Sequence, residues 1–248
     1  MTRPADPDFS ALTRDDLAHL ILQRSQVLAD VPQAGQVIRA WSNGDAAPLM
    51  AQVDRLGADV AARAFDGIAA EYEGLRDVLA ELAPARIADI GCGYAFFDLL
   101  AWRNLGCDLV LIDTETNDHR YFGYAKQGAA YSNLTTAARF LKGNGVPDAA
   151  LTVVNPDRHS LRDTGPVDLI VSFLACGFHW PAASYLDYFR TNLRPGGAIL
   201  LDLRDRSAAQ QLEELAPLGR IHTLPSPPKA RRIFIKTSTE TTAKRKPS

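Results

Sequence analysis

Residues 86–101, Arg-Ile-Ala-Asp-Ile-Gly-Cys-Gly-Tyr-Ala-Phe-Phe-Asp-Leu-Leu-Ala, constrain the fold more than any other stretch. The apolar residues Ile87, Ala88 and Ile90 are typical of a parallel strand that is covered on both faces. Gly91 and Gly93 allow backbone conformations that a Cβ would obstruct. Phe96 and Leu99 then recur at helical spacing. A strand that leads through a glycine turn into a helix N-terminus predicts a site for an anionic group.

The spacing of the glycines indicates which ligand this turn holds. A dinucleotide fingerprint needs a third glycine where Phe96 stands, which argues against a nicotinamide cofactor. The pattern Asp89-x-Gly91-Cys92-Gly93-x-Ala resembles motif I of the class I S-adenosylmethionine-dependent methyltransferases, with Ala95 at the usual third glycine. The resemblance implies that residues 91–93 pass under the methionine half of the cofactor and that Asp89 helps hold its amino group.

The order of predicted elements indicates the fold class. Strands are expected at 86–90, 107–112, 150–154, 167–173 and 198–203, with helices between them and two further strands at 220–224 and 231–236. Such alternation is typical of a doubly wound, mainly parallel sheet. We therefore expect an α/β, Rossmann-like methyltransferase domain over 85–238, preceded by a helical extension over 1–84 and followed by a basic, disordered tail over 239–248.

The first 84 residues carry no catalytic motif. A helix is expected from Thr13 to about Ala29, a loop over 31–45, and two or three helices over 46–82, while residues 1–12 are expected to be frayed. These helices form either a packing layer on the sheet or a cap that closes over a substrate, which could also serve as the interface of a homodimer.

Polar residues at predicted strand ends are the candidates for cofactor contacts, because ligands of such sheets bind at the carboxyl ends of strands. Asp113 ends the second strand, 22 residues after Gly91, where a carboxylate accepts hydrogen bonds from both hydroxyls of a ribose; Thr114 adjoins it. This spacing suits nicotinamide and adenosylmethionine folds alike. Asn155 and Asp157, after the third strand, are candidates for the adenine edge, and a plain turn is the alternative.

The later motifs favour the methyltransferase interpretation. Val-Asp-Leu-Ile-Val-Ser-Phe-Leu-Ala at 167–175 and Leu-Arg-Pro-Gly-Gly at 193–197 resemble later motifs of class I methyltransferases, so that the resemblance spans about residues 85–205. Asp168 begins its strand and is interpreted as structural. Ser172 and Phe173, at the other end of the strand, are expected to line the cofactor pocket.

Acceptor chemistry points to the segment after the fourth strand. Methyl transfer to an alcohol needs a general base or a metal, and His179 is the best-placed titratable group; packing alone is the alternative role. Phe178 and Trp180 could stack on a sugar or aromatic ring. The aromatic segment 114–148 supplies further substrate-binding candidates, which are Tyr121, Tyr124 and Tyr131. Together with the motif after the fourth strand, this segment loosely resembles bacterial proteins assigned as sugar O-methyltransferases.

The composition argues against several classes of protein and partner. With 46% hydrophobic and 23% charged residues and a net charge of −2, the chain is typical of a globular protein and gives no general reason to expect nucleic acid as a partner. Three scattered cysteines are too few for a disulfide framework or a zinc site, and no metal is expected. The polar N-terminus and the absence of a long apolar run predict a cytoplasmic protein without membrane contact.

The sequence therefore predicts an adenosylmethionine-dependent methyltransferase that acts on a small hydroxylated acceptor, a sugar by preference. N- or C-methylation of another small molecule is an alternative, and it would leave His179 dispensable. A non-catalytic binding or regulatory protein of the same fold is a second. A nicotinamide oxidoreductase is the least favoured.

Overall fold

The computed structural model describes residues 6–115 and 132–239. Within these residues, five helices precede the first strand and four more alternate with or follow the strands, with short 3₁₀ turns between them. The helices are α1 Arg14–Gln23, α2 Ala34–Ser42, α3 Ala47–Leu56, α4 Asp59–Glu73, α5 Arg76–Leu82, α6 Phe96–Leu105, α7 Leu134–Gly143, α8 Leu186–Asn192 and α9 Ala208–Leu215. The strands are β1 Arg86–Ile90, β2 Asp108–Ile112, β3 Leu151–Val154, β4 Val167–Ser172, β5 Leu193–Arg204, β6 Arg220–Leu224 and β7 Ala230–Lys236.

The seven strands form one sheet in the order β3-β2-β1-β4-β5-β7-β6. Strands β1 to β5 pair in parallel, and β7 runs antiparallel to both β5 and β6. The strand order reverses between β1 and β4, the point at which open α/β sheets bind their ligands. The doubly wound α/β fold predicted from the sequence is confirmed.

Alternating strand residues build a core on each face of the sheet. Leu109, Leu111 and Val171 pack on one face against the N-terminal helices, α6 and α7. Val110 and Ile170 pack on the other face against α8 and α9. Because both faces are covered, the central strands are apolar at nearly every position, as the sequence predicted.

The N-terminal helices are part of this structure and not a loose appendage. The prediction of frayed residues up to 12 is wrong for residues 6–12, because Phe9 stacks on Phe140 at a centroid distance of 5.9 Å and also contacts Phe96. The predicted loop at 31–45 contains α2, which buries Val37 and Trp41. This helix is missed because Pro32 and Gly35 suggest a loop and only two apolar residues mark its buried face.

Two element boundaries also differ from the prediction. The predicted helix at 182–193 is a 3₁₀ turn at Ala182–Tyr185 followed by α8. The Pro-Gly-Gly turn lies inside a longer β5, where the pairing with β4 shifts register between Val167 and Leu169. Gly196 has φ +75° there, so the turn persists as a bulge. Over residues 6–115 and 132–239, no helix is both long and apolar enough to cross a membrane.

Candidate active site

A cavity of about 250 Å³ lies at the carboxyl ends of β1, β2 and β4, at the switch point of the sheet. Nine of the residues singled out from the sequence line it together: Asp89, Gly91, Cys92, Gly93, Asp113, Phe173, Phe178, His179 and Trp180. Other lining residues were not candidates from the sequence: Leu20, Gln23, Arg24, Glu71, Tyr94 and Ser132. The glycine turn, the end of β2 and the segment after β4 therefore share one concave site.

The glycine turn forms the floor of the cavity. Gly91 has φ +79° and Gly93 has φ +57°, conformations that favour glycine. A Cβ on Gly91 would lie 2.3 Å from the Ala175 Cβ, so the turn packs directly against the segment after β4. Ala95, where the family pattern has glycine, adopts φ +59° immediately before α6. The third glycine position therefore keeps a left-handed backbone without a glycine.

We expect Gly91→Ala to destabilise the protein by about 2–4 kcal/mol, because backbone strain adds to the overlap with Ala175. Gly106→Ala is the matched control: Gly106 also has a positive φ, +67°, but a Cβ there meets nothing within 4 Å. The control should cost about 1 kcal/mol, from strain alone. Equal losses of unfolding free energy for the two variants in urea denaturation would show that Ala175 moves aside at no energetic cost.

Asp113 is held rigidly at the end of β2. Its Oδ2 accepts a hydrogen bond from the Gly93 N–H at 2.8 Å, and the Ser132 hydroxyl and the Thr114 N–H also donate to the carboxylate. Burial raises the pKa of Asp113 to about 6, although these three donors oppose the rise. At neutral pH the group is a fixed carboxylate with lone pairs still open to a ligand hydroxyl.

Asp89 has a buried carboxyl group that few hydrogen-bond donors stabilise. It is 4% exposed and lines the cavity beside the glycine turn. Its Oδ1 has no hydrogen-bond donor among the described residues. Burial, followed by the nearby Asp98 and Asp113 carboxyls, holds the pKa of Asp89 well above its ordinary value. A buried polar atom without a partner is costly unless something else supplies the partner, and here the open cavity is the available source.

The segment after β4 forms a polar and aromatic wall. The backbone N–H of His179 donates to the Ala175 carbonyl at 2.8 Å, which fixes the turn that carries Phe178 and Trp180. The Phe178 ring lies under the Arg204 guanidinium at 4.4 Å, and Arg204 Nε donates to the Phe178 carbonyl at 2.7 Å. These contacts fix the backbone of the turn and the position of the Phe178 ring at the cavity.

The N-terminal helices supply the opposite wall. Tyr94, which follows the glycine turn, donates to Asp16 Oδ1 of α1 at 2.8 Å in a buried contact. This bond holds α1 so that Gln23, at its end, lies against Gly93; its Oε1 would be 3.1 Å from a Cβ there. Arg24 and Glu71 form an ion pair at 2.6 Å that also lines the cavity. The extension therefore both packs on the sheet and covers the site.

Four candidates lie outside the cavity lining. Ser172 is fully buried. Its hydroxyl donates to the Ile90 carbonyl at 2.6 Å and accepts a hydrogen bond from the Cys176 N–H. Asn155 accepts the Asp157 N–H in a turn, which is the alternative that the sequence left open. Thr114 meets the site through its backbone N–H to Asp113. The three tyrosine candidates for acceptor binding lie outside the described residues: Tyr121, Tyr124 and Tyr131.

The carboxylate of Asp202 on β5 is paired with an arginine side chain. Arg232 on β7 binds both of its oxygens at 2.7 and 2.8 Å, and both side chains are buried. Arg232 also lies over the Phe173 ring at 4.8 Å, so this pair supports the cavity wall from behind. Across the described ranges, no group of three or more His, Cys, Asp or Glu residues is arranged to hold a metal ion.

The fold recurs in solved methyltransferase structures. A protein assigned as an O-methyltransferase from Nostoc punctiforme PCC 73102 aligns with a TM-score of 0.50 and 15% identity, over 90% of this chain and 72% of that one. A methyltransferase from Pyrococcus furiosus gives 0.48 and 16%, over 69% and 83%. The O-methyltransferase TomG from Streptomyces achromogenes, in complex with S-adenosylmethionine, gives 0.47 and 16%, over 68% and 80%.

The chain therefore has the Rossmann-like fold of the class I methyltransferases. No protein-family model matches the sequence, and no curated protein sequence matches it. At these identities the likeness defines the fold alone, so the activity has to be argued from the residues of the cavity.

Proposed function

We propose that this protein is an S-adenosylmethionine-dependent methyltransferase that methylates a hydroxyl group of a small molecule, with a sugar as the preferred class. The observation that carries the proposal is the convergence of the glycine turn, Asp89 and Asp113 in one cavity at the switch point of this fold. A nucleoside with a cationic amino-acid moiety matches that arrangement, because its hydroxyls and its ammonium group both require acceptors in a buried site.

The residues present suit this cofactor. Asp113 is positioned by three donors to accept the ribose hydroxyls, and each charge-assisted bond contributes about 1.5–3 kcal/mol. The donor-free Oδ1 of Asp89 offers an acceptor to the ammonium group. Gly91 and Gly93 let the chain pass close beneath the ligand, and Gln23 of α1 closes the site from above.

The bound cofactor supplies an activated methyl group on a sulfonium, so the protein mainly has to align the acceptor and take its proton. Alignment is worth about 7–11 kcal/mol in favourable cases. His179 is the proposed base, because it is the histidine beside the aromatic wall of Phe178 and Trp180 in this cavity. Those rings provide the flat apolar surface that a sugar face requires, while Arg24 and Glu71 add polar groups.

Two alternatives follow from specific features. An N- or C-methylated acceptor would use the same cofactor contacts without needing His179 as a base. A non-catalytic role is favoured by the N-terminal cover, since α1 and α4 take up part of the space above the glycine turn. Both alternatives retain the proposed cofactor, so cofactor binding is the first quantity to test. A homodimer through the N-terminal helices remains part of the proposal.

The deciding experiment is isothermal titration of the purified protein with S-adenosylmethionine and, separately, with NADH. We expect micromolar binding of S-adenosylmethionine and none of NADH, followed by release of S-adenosylhomocysteine when sugars and glycosides are supplied. Binding of neither ligand would contradict the proposed function. Binding without turnover on any class of acceptor would favour the regulatory alternative.

Asp113→Ala should weaken S-adenosylmethionine binding at least about tenfold, since the ribose hydroxyls lose their acceptor. Asp113→Asn retains an oxygen for the Gly93 N–H and separates the loss of charge from the loss of the turn contact. Asp108→Ala is the control, because Asp108 is exposed at the opposite end of β2. Unchanged affinity of a folded Asp113→Ala protein in calorimetry would remove the ribose assignment.

A further inference from the structure

Asp98 is a buried acid that nothing in the proposed reaction uses. It lies in the first turn of α6 and is 0% exposed. Neither of its oxygens has a hydrogen-bond donor among the described residues. An aspartate in a first helical turn normally faces solvent, where it interacts with the helix dipole, so a fully buried one without donors requires a physical explanation.

The neighbouring carboxyl group of Asp89 explains how Asp98 is accommodated. The carboxyl groups of Asp98 and Asp89 lie close enough together for each to shift the pKa of the other. Two neighbouring carboxyl groups that are both buried repel each other unless at least one of them carries a proton, and Asp98 has no donor among the described residues to stabilise its charge. Asp89 in turn lines the cavity, with its Oδ1 open to a ligand. The pair therefore links the fully buried Asp98 carboxyl group to the cavity through Asp89.

The charged groups around the pair favour the protonated form. Asp113 faces Asp89 from the end of β2, and the Cys92 and Cys107 thiols also lie close to the pair. None of these is a cation. Burial raises the pKa of both Asp89 and Asp98, so the pair keeps protons at pH values where exposed aspartates have lost theirs.

We propose that Asp98 is a positioning residue that holds a proton with Asp89, so that the pair carries one negative charge instead of two before a ligand binds, and that binding of a cationic amino group expels that proton to solvent. The step balances, because a carboxyl O–H dissociates, its proton goes to the buffer, and the resulting carboxylate pairs with the incoming ammonium. This inference rests on the proposed function, since it takes the amino-acid half of S-adenosylmethionine or its product as the ligand. It assigns the chain a binding reaction that takes up a cation and releases a proton.

The first test measures proton release. S-adenosylhomocysteine is titrated at pH 7 in buffers of different ionisation enthalpy, and we expect release of about one proton per ligand bound. Methylthioadenosine keeps the ribose and adenine but lacks the amino group, so it should release far less. This comparison separates the pair from Asp113, which the ribose would contact with either ligand. In Asp98→Asn, the amide donates to Asp89 and favours its carboxylate, so release should fall below about half of a proton.

The second test needs no ligand. A carboxyl whose pKa is raised by folding stabilises the protein at low pH, and this stabilisation is lost as the pH rises toward the folded-state pKa. Asp98→Asn should therefore gain in melting temperature relative to the wild type between pH 5 and pH 8, by about 2–4 °C. Asp108→Asn, at an exposed position, should show no such gain. Asp98→Ala tests the same change if the amide is not tolerated.

The outcomes are distinguishable. Failure of S-adenosylhomocysteine to bind would count against the proposed function, while the melting temperatures would still decide whether the pair holds a proton. Binding without proton release in the wild type would overturn the inference. Equal release by the wild type and Asp98→Asn, or a pH-independent difference in melting temperature, would overturn it as well.

Discussion

Replacing His179 with alanine is expected to lower the turnover number by about 10²- to 10⁴-fold, the usual contribution of a positioned general base. The affinity for S-adenosylmethionine should change little, because the cofactor contacts come from the glycine turn and Asp113. Turnover is measured as release of S-adenosylhomocysteine with the best acceptor from a sugar and glycoside screen. The melting temperature is recorded in parallel to confirm folding.

His222→Ala is the matched control. His222 is exposed on the outer strand β6, away from the cavity lining, so its loss should leave turnover unchanged. His179→Gln preserves a polar side chain of similar length without a basic imidazole, and it should be nearly as inactive as the alanine variant. Full activity of either His179 variant would show that His179 only packs, and it would favour an acceptor that needs no base.

Arg232→Met is expected to reduce the free energy of unfolding by about 3–5 kcal/mol, because it leaves a buried carboxylate without its cation. Asp202 is 0% exposed and both of its oxygens bind Arg232. The variant also removes the guanidinium over Phe173 and its 3.6 Å contact with Glu71. The cavity wall should loosen together with the β5–β7 pairing.

The double variant Asp202→Leu/Arg232→Met provides the control. It replaces both charges with apolar side chains, a change that is often neutral or stabilising for a buried pair, so it should recover most of the lost stability. Denaturation in urea with a two-state fit gives both values. A loss below about 1 kcal/mol in Arg232→Met would place the pair in the range of exposed ion pairs and contradict its burial.

Local sequence patterns determine the centre of the fold. The strand, turn and helix at 86–105 are predicted because an apolar run, two glycines and a helical repeat follow one another within 16 residues. Asp113 is placed beside Gly93 by a similar argument, since consecutive parallel strands end at the same edge of the sheet. These predictions depend only on neighbours in sequence or on strand order, and both are visible in the chain.

The rest of the site depends on contacts that leave no local signal. Arg24 and Glu71 are 47 residues apart, and nothing near either one indicates that they meet over the cavity. Asp98 resembles an ordinary first-turn acid, so its burial against Asp89 is invisible until α6 is packed on the sheet. The amphipathic spacing within α1 suggests a packing face, but it does not show that the end of the helix reaches Gly93.

The bond between Tyr94 and Asp16 has an evolutionary consequence. Because it holds α1 over the glycine turn, the helix that shapes the mouth of the cavity also covers the floor on which the proposed cofactor rests. A mutation in α1 that selects a new acceptor would therefore change the grip on the methyl donor as well. Divergence of specificity through α1 is consequently expected to be limited to substitutions that preserve the contact between Gln23 and Gly93.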